Sequence, residues 1–164
     1  MRLDPTKSLE ELTEVATRFR EALEEALKGL SYTPAPLTRF PAGSCGFTSE
    51  MLGQMLNDRL NNQVLYVWGQ EKDGERSHAW LRYGDVVLDL TGDQFAGRPR
   101  IFVGIADSWF YMWAVDEPSA PAEFECGFDN VVARIYEEVE AAVFDSSAWK
   151  GGAPSICGPD QEIS

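Results

Sequence analysis

Basic residues are scarce in this chain and histidine nearly absent. Its 164 residues carry 14 Lys and Arg against 27 Asp and Glu, a formal charge of −13, with one histidine and three cysteines. No basic excess exists to neutralise phosphates, and the mean field repels polyanions, which argues against nucleic acid or an anionic membrane as partner. Cationic or neutral substrates, or a basic protein partner, suit such a chain better. Nowhere do about 18 apolar residues run without a charge, as a membrane span requires. The start, Met1-Arg2-Leu3-Asp4-Pro5, lacks the apolar stretch of a secretory signal. The expectation is a soluble, cytoplasmic protein. Cys45, Cys126 and Cys157 cannot all pair within one chain, so at least one thiol is free, and none sits in a C-x-x-C spacing. With no P-loop, dinucleotide motif or carboxylate cluster, neither cofactor nor metal is inferred. Any mechanism that needs an imidazole must use His78.

The apolar fraction of 44% is enough to bury a core. Residues 1–145 are expected to form one α+β domain. The last segment, 146–164, has Gly151, Gly152, Pro154, Gly158 and Pro159 and little to bury, so a flexible tail is expected there. Leu9, Leu12, Val15, Ala16, Phe19, Leu23, Ala26, Leu27 and Leu30 recur at helical spacing, and Ser8 with Glu11 reads as a capping box. The prolines of 31–44 predict an extended surface loop. A second helix is predicted from Cys45 to Leu60, strands at 64–68, 77–83, 86–91 and 101–105, and a third helix around Val131 to Val143. The run 109–115, rich in Trp, Phe and Tyr, reads as a strand or a short buried helix.

Two segments carry candidate chemistry. In Pro41-Ala42-Gly43-Ser44-Cys45-Gly46 a loop delivers a cysteine to the first turn of a helix, where free amides and the positive helix end favour thiolate over thiol. A small apolar residue filling a helix end is the plainer reading of that segment alone. The second segment is a hairpin around Gly84-Asp85. A two-residue turn there pairs Tyr83 with Val86, Leu81 with Leu88 and Trp80 with Asp89. One face then holds Ala79, Leu81, Tyr83, Val86, Leu88 and Leu90 and should face the core. The other holds His78, Trp80 and Arg82 with Val87, Asp89 and Thr91, making His78 and Asp89 diagonal neighbours. An aspartate so placed fixes the tautomer of the imidazole and stabilises its protonated form.

Cys45, His78 and Asp89 in that chain order, with His78-Ala79-Trp80 on one strand and Asp89-Leu90-Thr91 ending the next, resemble the papain-like and transglutaminase-like superfamily. The likeness covers roughly residues 39–95 and extends to small uncharacterised bacterial members of the transglutaminase-like group. It implies a nucleophile helix packed on a mostly antiparallel sheet. It also implies acyl transfer, with Cys45 as nucleophile, His78 as base and Asp89 as its orienting acid. Hydrolysis of a peptide or amide bond, in a peptide, amide or protein substrate, is the default outcome, and transfer to an amine the variant. Gly46-Phe47 stands where these families usually place Trp after the nucleophile, and Arg39 stands near the place of the upstream Gln donor of papain-like proteases. Arg39 is either a donor there or a solvated loop charge. Trp80 and Gln94 are the other candidate substrate contacts, Trp80 by register and Gln94 as an amide donor beyond the strand. Asp93 could also line the site. The opposing expectation is a binding or immunity-type module that keeps the fold without turnover.

Overall fold

The computed structural model describes residues 5–144, with side chains from Leu9 onward. The expected tail and Cys157 lie outside these residues. Helix α1 spans Pro5–Lys28, and Leu12, Val15, Ala16, Phe19 and Leu23 are buried along one stripe. Complete burial of Phe19 and Leu23 contributes about 1.5–3 kcal/mol each. Helix propensities differ by at most ~0.7 kcal/mol per ordinary residue, so packing rather than propensity holds α1 in place. The helix begins at Pro5, a residue suited to the first helical position, so Ser8 lies inside it rather than at its start.

Residues 31–44 differ from the extended loop predicted. They fold into consecutive turns, including a 3-10 turn at Ala35–Leu37, and insert Leu37 into the core. Proline φ suits such turns as well as extended chain, and Leu37 gains burial by the compact choice. Helix α2 (Cys45–Leu60) starts at the residue the sequence indicated.

The sheet is antiparallel throughout, in the order β4 (Phe102–Ile105), β3 (Val86–Asp89), β2 (Ser77–Tyr83), β1 (Val64–Glu71), β5 (Trp113–Val115). The two-residue strand β6 (Ala120–Pro121), which the sequence pattern did not suggest, pairs with the other half of the β1 edge. Gly84 has φ +58, which the first central position of a two-residue hairpin turn of type II′ requires. The turn fixes the predicted register: Tyr83 opposes Val86, Arg82 opposes Val87 and Leu81 opposes Leu88. Strand β3 stops at Asp89 rather than Thr91, because a 3-10 turn at Gly92–Gln94 bends the chain away. The aromatic run divides into a 3-10 turn, Ser108–Met112, followed by β5.

Helix α3 (Asn130–Phe144) is capped by Asp129, whose carboxylate accepts from the amides of Val131 and Val132 at 2.9 and 3.2 Å. Helices α1, α2 and α3 enclose the main core against one face of the sheet, through Val64, Leu81, Leu88 and Leu90. The opposite face is also covered. Val67, Trp80 and Val87 pack there beneath Phe110 and Trp113. Mixed helices over an antiparallel sheet make this an α+β fold.

Candidate active site

Cys45 is the first residue of α2 and half-buried. Ser44 precedes it, but its hydroxyl does not cap the helix; it donates instead to the Pro36 carbonyl at 2.6 Å. That bond ties the preceding turns to the helix start and leaves the first-turn amides without a capping side chain. The amide of Gly46 and that of Ala79, beyond the last β2–β3 pair, bond to the Cys45 sulfur. Burial of the thiol opposes ionisation. The hydrogen bond and charge of His78 outweigh it, with these amides in support, and Cys45 falls below the usual thiol range.

His78 and Asp89 meet as the hairpin register indicates. His78 Nε2 and Asp89 Oδ2 are 2.9 Å apart, and both side chains are fully or almost fully buried. Asp89 Oδ1 accepts from the Thr91 amide at 3.2 Å, so the carboxylate is held from both ends. With Nε2 on Asp89, Nδ1 is the nitrogen available to sulfur. Burial alone would lower the basicity of His78, but hydrogen bonds to Asp89 and Cys45 and their charges raise its pKa to about 9. Both shifts run the same way, toward a protonated imidazole beside the Asp89 carboxylate and a more readily ionised Cys45.

Aromatic rings shield the pair from water. Phe95 and Trp109 meet the His78 ring edge-on, with centroids 4.9 and 5.6 Å away, and Trp80 and Trp113 lie at 5.7 Å. Excluding solvent strengthens the electrostatic coupling of the buried ions. The turn after Asp89 is anchored from α1. Arg20, itself buried, donates to the Leu90 carbonyl at 2.9 Å and to both oxygens of Asp93 at 2.8 and 2.9 Å, while its guanidinium stacks over Phe40. Asp93 is thus committed to Arg20.

The other candidates are spread unevenly. Gln94 Nε2 lies 3.4 Å from His78 Nδ1 and donates to the Thr91 carbonyl at 3.2 Å. It can serve the neutral ring as a donor but must yield Nδ1 when that atom is protonated. Trp80 sits in the second core against Phe110, behind the imidazole. Arg39 is exposed and makes no hydrogen bond among the described residues. Cys126 is engaged in a disulfide, leaving Cys45 as the free thiol among the described residues. Among those residues no group of three or more His, Cys, Asp or Glu is placed to hold a metal ion, and no helix is long and apolar enough to cross a membrane.

Two residues beside the thiol escaped the sequence reading. The Tyr66 hydroxyl presses against Gly46: a Cβ at that position would lie 3.0 Å from it. Any larger residue after Cys45, the Trp of the resembled families included, would press on that hydroxyl and need it to give way. Glu50, one turn further along α2, is half-buried. Burial of Tyr66, with the charges of Glu50 and Cys45, pushes its phenol up to about 12. Comparison with known proteins found no matching family model, no similar characterised protein and no similar solved structure.

Proposed function

We propose that this protein is a cysteine-dependent acyl-transfer enzyme of papain-like or transglutaminase-like type that most simply hydrolyses a peptide or amide bond. The convergence of Cys45, His78 and Asp89, three residues far apart in the chain, is the observation that supports it. The thiolate of Cys45 attacks the carbonyl carbon, and the oxyanion is met by the Cys45 backbone N–H, which has no intrahelical acceptor at the first helical position. His78 passes its Nδ1 proton to the departing amine as the C–N bond breaks, leaving a thioester on Cys45. The neutral ring then takes a proton from water, whose oxygen displaces the sulfur to give the carboxylic acid; an amine in place of water would give a new amide. Asp89 keeps Nε2 protonated throughout and stabilises the imidazolium.

The test is alkylation of the free thiol by iodoacetamide across a pH series, with peptide mass spectrometry. Cys45 should react well below the pH at which an ordinary thiol does, and His78→Ala should abolish that advantage. Reaction of wild-type Cys45 with the profile of a free thiol would overturn the proposal. A screen of acyl-peptide and amide substrates, comparing wild type with Cys45→Ala, then identifies the reaction.

A further inference from the structure

Gly46 and Glu50 are four residues apart on α2 and so share a face of the helix. Tyr66 reaches that face from β1. It opposes Leu81 in the ladder, so it points to the side of the sheet that α2 covers, and its hydroxyl ends against Gly46, the residue after the nucleophile. The half-buried Glu50 has no Lys, Arg or His partner among the described residues, and the Tyr66 hydroxyl makes no hydrogen bond among them. A carboxylate drawn part-way out of water without a counter-ion is costly, and a bound cation would repay that cost. Carboxylate, phenol oxygen and aromatic face together suit an ammonium or guanidinium group.

We infer that Glu50 and Tyr66 form a subsite beside Cys45 that takes a positively charged group of the substrate, next to the carbonyl that the sulfur attacks. The inference rests on Cys45 being the nucleophile. Burial holds the Glu50 carboxyl above its ordinary range, as expected of a carboxylate lacking a cation. The overall charge of −13 favours the same class of ligand at long range.

Methanethiosulfonates of three charges test this without knowledge of the substrate. In each, the thiolate forms a mixed disulfide and methanesulfinate leaves, and the rate at Cys45 is divided by the rate with free 2-mercaptoethanol. At pH 7 and moderate salt the trimethylammonium reagent should exceed the sulfonate reagent by about tenfold or more, equivalent to ~1.4 kcal/mol. Glu50→Gln should remove most of that preference and Tyr66→Phe part of it, while the neutral methyl reagent reports that the thiol is intact. Glu138→Gln, exposed on α3, controls for net charge and should leave the ratio unchanged. Equal effects of Glu50→Gln and Glu138→Gln, or a wild-type ratio near one, would overturn the subsite. The absolute rate with the neutral reagent separates the two ideas: if it matches an ordinary thiol and ignores His78→Ala, the acyl-transfer reading fails whatever the charge ratio shows.

Discussion

Because the chain has one histidine, the ionisation at the heart of this site can be followed as a single resonance. His78 should titrate at about 9 instead of the ordinary 6.5. Asp89→Asn removes the carboxylate 2.9 Å from Nε2 and keeps its shape. Loss of an opposite charge at that range should bring the midpoint down to about 6–8. A folded-state value raised from 6.5 to about 9 corresponds to about 3 kcal/mol of stability. Its sign follows from proton binding: the folded state holds the proton more tightly, so this stabilisation is complete below about 6.5 and is lost as pH rises through 9. The Cys45 thiol titrates in the opposite sense, so the urea-denaturation arm belongs in a Cys45→Ala background. There the sulfur's share of the His78 shift is gone, so stability should fall by less than the full ~3 kcal/mol between pH 6 and 9.5 with Asp89 present, and by less again with Asp89→Asn. A wild-type resonance with its midpoint at or below 6.5, or parallel stability curves for the two variants, would refute the ion-pair account.

Two further perturbations test the supports of the site. Arg20→Met keeps the apolar stem but strips the bidentate partner from Asp93 and the donor from the Leu90 carbonyl; urea denaturation should register a loss of about 3 kcal/mol, and less than 1 would show that the anchor is dispensable. Gly46→Ala gains helix propensity worth about 0.8–1 kcal/mol but sets a methyl against the Tyr66 hydroxyl. The substitution should therefore stabilise a Tyr66→Phe background by about 1 kcal/mol and wild type by clearly less, and identical effects in both backgrounds would refute the contact.

What the sequence reveals here is decided by how local the determining contacts are. The pairing of His78 with Asp89 is legible because a two-residue turn fixes every pair outward from Gly84, and strand parity then sets which side chains share a face. The helix start at Cys45 is legible because the prolines end at Pro41 and helically spaced apolar residues follow from Phe47 without another proline. Tyr66 and Glu50 are not, since their nearness depends on the angle at which α2 crosses β1, and no spacing in the chain encodes that angle. A hint existed nonetheless: a glycine directly after Cys45, inside a helix that gains nothing from it, marks a place where another group comes close. The turns at 31–44 misled for a related reason, because proline punctuates without saying whether the chain extends or compacts. The unused signal there was Leu37, an apolar residue too costly to leave in water. The second aromatic core follows the same logic. Register placed Trp80 beside His78, but the imidazole is enclosed by Phe95, Trp109 and Trp113, which return over that face from later in the chain. Burial alone would favour the neutral ring; the hydrogen bonds and charges of Asp89 and Cys45 overcome it and hold an imidazolium to about pH 9. The late-chain aromatic segment thus sets how far the pair is shut off from water, while the neighbouring carboxylate and sulfur set its charge.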